Sequence, residues 1–552
     1  MRRFAVQPAC MPIIFILTVI FFHFTAAAET VNFSDVPVGH WAYNDILTLR
    51  KLNVTQGISD NTFGLGRSLT RAEFVTFLSK LFKWDIRSAA ENEAWYAVYA
   101  DAAVGAGAVT HEESKAFRPN DSITREEMAV MLVRSLGYEG LALQLNTLPP
   151  PFDDVSKNIG YITMAKDFNI ISGMSEKIFS PSSSATREQG AAMMVRLYNK
   201  LSEVALAGSA NGWVNAFYAI RSNNQSNLIS LADSVSFGWS RIEWRDGVYL
   251  NMAPSQNNEY CKPMGYETVL SNVRAQNKLV LLMVTAENKL VTPAGSAGDA
   301  QSLSSYLLSS EQLRRRMVSQ IAAAAADFDG VVVDLENLKG SQTRQAFTAF
   351  LTELKGTLTS KSNIIYVAVQ PARQPGQPYF DGYDFHAVGR IADKVILMAH
   401  DYYAKNLSDN EMQSGFNVTP LSPINEVYYA LKAITDPKTG VEDVNKVLLQ
   451  FSFDSVQWKL QEGRIINREP FSPTYEAIQN RISLGAVQQY SHRYESPFIT
   501  FIDEEDRTDN IVWYENRRSI AAKLELAAMF SISGISLWRL GIIPDDVIGL
   551  LR

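Results

Sequence analysis

Within the first two hundred residues one short pattern occurs three times: Ser-Leu-Thr-Arg-Ala-Glu-Phe from Ser68, Ser-Ile-Thr-Arg-Glu-Glu-Met from Ser122 and Ser-Ala-Thr-Arg-Glu-Gln-Gly from Ser184. Self-similarity of this kind constrains a chain more than any single segment does, because every copy must solve the same packing problem. Each copy sets Thr three residues before Glu or Gln: Thr70 with Glu73, Thr124 with Glu127, Thr186 with Gln189. That spacing is a capping box, in which the Thr oxygen takes a backbone N–H while the Glu or Gln reaches back to the cap, so a helix is predicted to start at each. The residues that follow, such as FVTFLSKLF and MAVMLVRSLG, repeat apolar positions at helical spacing. Upstream, Phe33 to Val54 and Phe152 to Ile170 both place Asp-Val before an aromatic-led helix, and a more diverged middle copy surrounds AWYAVYADAAVGAGAV.

These units resemble S-layer homology modules, in the FSDV…HWAY opening and the TRAE or TREE signature, over about residues 30 to 200. The resemblance implies an all-α trimer of repeats that binds pyruvylated polymers of a Gram-positive cell wall. It divides the region into modules at residues 29–87, 88–147 and 148–203. The signature arginines it assigns to polymer binding are Arg71, Arg125 and Arg187. An Arg in the first turn of a helix stands beside unsatisfied N–H groups, a combination that favours an anion such as a ketal carboxylate.

Before the repeats, Arg2 and Arg3 precede an apolar stretch from about Met11 to Phe24 and then Ala26-Ala27-Ala28, which reads as a secretory signal over residues 1–28. The apolar run falls short of the ~20 residues needed to cross a bilayer, so no transmembrane anchor is expected after cleavage. Loss of two arginines and no acid takes the formal charge from -7 to -9, with no basic run, so nucleic acid is an unsuitable partner. Of the two cysteines, Cys10 leaves with the signal and Cys261 remains, which excludes an internal disulfide. The six histidines are scattered without the close spacing of a paired metal motif, and neither a metal nor a cofactor is expected.

From residue 204 to 552 the texture changes to short apolar runs separated by helical stretches. The strand-like runs are Trp213 to Ile220, Val235 to Trp239, Leu279 to Thr285, Val331 to Glu336, Ile364 to Val369, Val395 to Ala399, Val447 to Phe451 and Gly534 to Trp538. Eight βα units over this length predict a (β/α)8 barrel, with a small α+β insertion at about residues 455 to 512. The fold expected of the whole chain is thus multidomain, all-α repeats followed by an α/β TIM barrel.

The fourth run, DFDGVVVDLENLKG, ends in two acids two residues apart. Alternation along a strand puts Val332, Asp334 and Glu336 on one face, at the C-terminal mouth where barrel active sites form. Two carboxyls so close disfavour double ionisation, so one keeps a proton and can protonate a leaving-group oxygen. The same residues could instead cap the next helix.

DGVVVDLE resembles the DGxDxDxE signature of glycoside hydrolase family 18, the chitinase and N-acetylglucosaminidase family. VILMAHDYY resembles its sixth-strand motif and GISLWRLG its last strand, over roughly residues 210 to 545 and nearest the spore-cortex and cell-wall branch. The resemblance implies substrate-assisted retaining hydrolysis of an acetamido-sugar polysaccharide. Glu336 would be the acid and base, Asp334 the residue that orients the 2-acetamido group, and Asp401 its stabilising partner. Substrate contacts would come from Trp538, Met398, His400, Tyr402 and Asp329. Val332 stands where the family has its middle acid, and His400 where it has a Tyr, with His400 or Tyr402 left to take over that hydrogen bond. A barrel that only holds glycan at the cell surface is the competing reading.

Overall fold

The computed structural model describes residues 32–209, 212–219, 221–254, 258–292, 300–359, 362–374, 377, 379–414 and 420–551. The secretory signal expected at residues 1–28 lies outside them. The chain divides into two compact units, Met1–Leu206 and Ala207–Arg552. The last helix of the repeats, Arg187–Ser209, continues through the border expected at residue 203.

The N-terminal unit is helical, and its repeats close on one another. Thr70 and Thr124 form complete capping boxes at the helices Arg71–Phe82 and Arg125–Ser135. Thr186 and Gln189 exchange the same pair of bonds at the third helix. Just before each cap the backbone joins a ring: Leu69 N donates to Ala185 O, Ala185 N to Ile123 O and Ile123 N to Leu69 O, each at 2.9 Å. The three apolar side chains at these positions are fully buried. The Asp of each Asp-Val opening is a latch. Asp35 accepts from the N–H groups of Phe63, Gly64 and Leu65, and Asp154 from those of Phe179 and Ser180. Although burial works to raise the Asp35 carboxyl, these bonds hold it below its ordinary value.

The signature glutamates serve two modules at once. Glu73 uses Oε2 to cap its own helix, while its Oε1 lies 2.9 Å from Nη1 of Arg187 in the third module. Glu127 caps Thr124 with Oε2 and accepts from Nε of Arg71, in the first module, through Oε1 at 3.0 Å. The third position of this cycle is Gln189, whose single carbonyl oxygen is engaged by its own cap. Arg125 accordingly has no such carboxylate: it donates to the carbonyls of Phe179 and Ser172, both at 2.8 Å, and covers the Phe179 ring. The resemblance assigned these arginines to polymer binding. They are only 4–8 % exposed and directed between modules, where a carboxylate or carbonyls of another module offset the cost of burying each guanidinium.

In the C-terminal unit eight parallel strands close into a barrel: β1 Val214–Tyr218, β2 Ser234–Phe237, β3 Leu279–Ala286, β4 Gly330–Asp334, β5 Ile364–Val369, β6 Lys394–Leu397, β7 Val447–Ser452 and β8 Gly534–Trp538. Each pairs with its neighbours, and β8 returns to β1. Inward-facing Phe217, Leu281, Met283, Val332, Tyr366, Ala368, Ile396 and Leu448 fill the interior, so the barrel is a packed core and not a pore. Val332, at the position of the family's middle acid, is fully buried there.

Two additions shape the mouth. A hairpin of Arg241–Trp244 and Val248–Asn251 extends the connection after β2, an element the sequence reading lacked. Between β7 and β8, strands from Val456 to Trp513 form a five-stranded antiparallel sheet carrying the helix Tyr475–Ser483. Its own apolar cluster includes Val456, Trp458 and Trp513.

The opposite rim shows a repeated device. Asp233, Asp329 and Asp393 each stand one residue before β2, β4 and β6, in Asp-Ser-Val, Asp-Gly-Val and Asp-Lys-Val. Each carboxylate accepts, at 2.8 Å, the N–H of a residue opening or next to the opening of the preceding strand: Val214, Val280 and Ile365. Asp329 is therefore a strand latch at the N-terminal end of the barrel and cannot touch substrate at the other. Gly330 beside it is required by close approach, since a Cβ would lie 2.0 Å from the carbonyl oxygen of Ile364.

Candidate active site

Asp334 closes β4, opposite Thr285 of β3, and Glu336 follows two residues later. Asp334 is buried, and its Oδ1 has no hydrogen-bond partner among the described residues. Burial and then the neighbouring Glu336 push its carboxyl well above the usual range. Glu336 opens onto the cleft yet has protein on its remaining sides, so it is reachable by a ligand but poorly hydrated. That loss of water raises its carboxyl; His400 and Lys405 oppose the rise and Asp401 adds to it. The geometry thus disfavours ionisation of both acids at once.

The turn carrying Glu336 is fixed from below. Tyr383 donates through its hydroxyl to Leu335 O at 2.9 Å, and Gln370 Oε1 accepts the N–H of Asn337 at 2.7 Å. Asn337 adopts a left-handed φ of 63°, a conformation Asn tolerates better than most side chains. Tyr260, from the excursion after β2, borders the same acids: burial, Asp334 and Glu336 push its phenol up to about 12.

Across the mouth, β6 leads through Met398 into His400 and Asp401. Met398 contributes to the inner core and Trp538 packs against it, the Trp538 ring standing edge-on to Phe217 with centroids 5.1 Å apart. Asp401 takes a left-handed φ of 60°. Its carboxylate lies between two basic groups, His400 Nδ1 at 3.5 Å from Oδ1 and Lys405 Nζ at 2.9 Å from Oδ2. Burial acts to raise this carboxyl, but His400 and Lys405 hold it well below the usual range. Lys405 also lies over the Tyr403 ring. On its other edge His400 meets Gln450 of β7, Nε2 to Oε1 at 2.8 Å.

Glu336, Asp334, Asp401, His400, Met398 and Trp538 are brought together at one rim. Tyr402 is not: its hydroxyl donates to the carbonyl of Glu426 at 3.4 Å, and its ring lies beneath Arg373. His400 alone of the two residues weighed for the tyrosine's role faces the carboxylates. Sequence reasoning missed Gln450, Lys405, Tyr260 and Asp454, a half-buried acid whose carboxyl is raised by loss of water and then by Asp401. Two of these had a signal. Gln450 is the one polar residue in VLLQF, at an inward register position, and Lys405 follows Asp401 by four.

A closed (β/α)8 barrel whose acids converge at its C-terminal rim is thus joined in one chain to a helical unit of three interlocked repeats. The sequence model of Glycosyl hydrolases family 18 matches residues 285–542, and that of the S-layer homology domain matches residues 32–75, 90–129 and 151–191. The chain carries three S-layer homology domains and a family 18 glycosyl hydrolase domain.

Among curated relatives, the cortical fragment-lytic enzyme of Bacillus subtilis (strain 168) is 28% identical over 290 residues, covering 50% of this chain and 60% of its own. The enzyme of the same name from Bacillus anthracis is 23% identical over 287 residues, covering 50% and 59%. The chain spans about three fifths of the length of these relatives. Among solved structures, the Bacillus cereus spore cortex-lytic enzyme SleL is 18% identical with a TM-score of 0.48, over 62% of this chain and 73% of that one. No helix among the described residues is long and apolar enough to cross a membrane.

Proposed function

We propose that this chain is a bacterial cell-surface glycoside hydrolase that cleaves N-acetylglucosamine-containing glycan, peptidoglycan or a chitin-like polymer, by substrate-assisted retaining hydrolysis. The observation that carries this reading is the pair of water-poor carboxyls, Asp334 and Glu336, set at the barrel mouth beside Trp538. Glu336, reachable from the cleft, protonates the leaving oxygen and later activates water. Asp334 orients the 2-acetamido group, whose carbonyl oxygen attacks the anomeric carbon to give an oxazolinium. Asp401, ionised between His400 and Lys405, stabilises the developing positive charge. Trp538 supplies the apolar surface on which the sugar ring rests.

The three S-layer homology domains support attachment at the bacterial surface through an acidic wall polymer. The arginines contribute by holding the ring of modules together. Nη1 of Arg71 and Nε and Nη1 of Arg187 have no hydrogen-bond acceptor among the described residues, the Arg187 Nη1–Glu73 approach being close but poorly aligned.

Turnover of an aryl-chitooligosaccharide and of purified peptidoglycan, wild type against Glu336→Gln, tests the reading. Release by wild type that disappears in the variant supports it. Equal, negligible release from both on every acetamido polymer, with glycan still bound, would establish the competing reading of a glycan-holding barrel, which the fully buried Val332 favours.

A further inference from the structure

His400 Nδ1 and Asp401 Oδ1 are buried, 3.5 Å apart, and neither has a hydrogen-bond partner among the described residues. A carboxylate can only accept, so the pair is favourable when Nδ1 carries hydrogen. What decides the other nitrogen is the group at Nε2. There the interior of the barrel holds a directional chain of polar side chains. Trp213, whose indole can only donate, gives its N–H to Ser234 Oγ at 3.2 Å. Ser234 and Ser236 donate to Asn215 Oδ1 at 2.9 and 2.8 Å. Asn215 Nδ2 donates to Ser536 Oγ at 3.2 Å, and Ser536 also receives Gln450 Nε2 at 3.4 Å. With its amide nitrogen so directed, Gln450 turns its oxygen to His400 Nε2 at 2.8 Å. Both imidazole nitrogens thus face acceptors, an arrangement that only the doubly protonated ring satisfies.

We propose that Gln450 is a positioning residue of the active site: its amide oxygen, held by Ser536 and Asn215, keeps His400 as an imidazolium whose Nδ1–H fixes Asp401. This rests on the reading of the barrel as a hydrolase and adds a residue to it. The charged and titratable groups that face His400 are Asp401 beside it, Glu336 after β4 and Asp454 after β7. Burial opposes the charge on His400, and Asp401, Gln450 and Glu336 outweigh it, leaving the imidazole raised from its ordinary value. The sign follows from that direction. The fixed cation is present at low pH and is lost as pH rises through the raised value, taking the restraint on Asp401 with it.

The test combines histidine-selective 15N NMR titration of the full chain with the pH profile of kcat on peptidoglycan and an aryl-chitooligosaccharide, the His400 signal being assigned by its loss in His400→Gln. In wild type, His400 should show two protonated nitrogens at pH 6. Gln450→Leu should lower the His400 midpoint by about one unit or more and reduce kcat about tenfold. Gln450→Glu keeps the acceptor and adds charge, so the midpoint should move up. A neutral Nδ1–H tautomer in wild type at pH 6 would overturn the proposal. So would a midpoint unchanged in both variants, including the case in which Gln450→Leu loses activity without a shift. The NMR arms need no turnover, so failure of the hydrolase reading would show as absent wild-type release with the His400 titration still as expected.

Discussion

The repeats and the acid pair at the barrel mouth treat charge in opposite ways. In the repeats, the interior ions are guanidiniums met by carboxylates or carbonyls from the adjoining module: Arg187 with Glu73, Arg71 with Glu127, Arg125 with Phe179 O and Ser172 O. At the barrel mouth, Asp334 and Glu336 have no cation bonded to them among the described residues; burial raises both, Glu336 adds to the rise at Asp334, and at Glu336 Asp401 adds to it while His400 and Lys405 oppose it. A paired charge stays charged and fixes geometry, whereas an unpaired acid sheds its charge and keeps a proton available.

The sharpest way to break this contrast is Glu336→Gln. It should lower kcat by about 10²–10⁴-fold with the unfolding transition unchanged, since removing an unpaired acid removes proton transfer and no partner. Arg187→Met makes the converse change. It leaves Glu73 without its cation inside the ring and should cost the N-terminal unit about 3 kcal/mol in denaturant unfolding, with wall sedimentation weakened and hydrolysis intact. Asp329→Ala probes a scaffold acid of the barrel itself: loss of the Val280 N–H bond should cost about 1–3 kcal/mol while kcat stays at the wild-type level.

A pH experiment sharpens the comparison further. Glu336 is raised, so its proton and the activity should persist above the ordinary glutamate value of about 4.3 and fall as pH passes its own. Asp401 is lowered, so its ionised form should be lost only in strong acid. Lys405→Met removes a cation that favours the ionised form of both, and both limbs of the kcat/KM profile should move to higher pH. The smallest effect belongs to Gln189→Glu, which offers Arg125 the carboxylate its two counterparts already have. A gain of at most about 1 kcal/mol in the N-terminal unit is expected from urea unfolding.

What was legible in the sequence is what repeats or alternates. The three caps were readable because a helix start needs particular side chains at fixed spacing. The eight barrel strands were readable because each is an apolar run between helical patterns, and the acid pair because alternation fixes its face. What escaped depended on contacts far apart along the chain. The burial of Arg71, Arg125 and Arg187 between modules was not legible because their acceptors sit in other modules, up to 114 residues away in the case of Arg187 and Glu73. Asp329 looked like half of a catalytic signature because the Asp-Gly-Val that opens it is read with the acids that end it. Its sisters Asp233 and Asp393 were in view, yet their common role needs the neighbouring strand to be seen. Tyr402 and His400 could not be told apart by spacing, since the left-handed turn at Asp401 decides which of them faces the cleft.

The hoop formed by Leu69, Ile123 and Ala185 has a consequence for how such a chain can be shortened or rearranged. Each backbone link is completed by the member after next along the chain, the last one handing its donor to the middle and receiving from the first. Excising any one module would strand a donor and an acceptor in the dry centre, so anchoring segments of this design should be inherited, shuffled and lost as indivisible triplets.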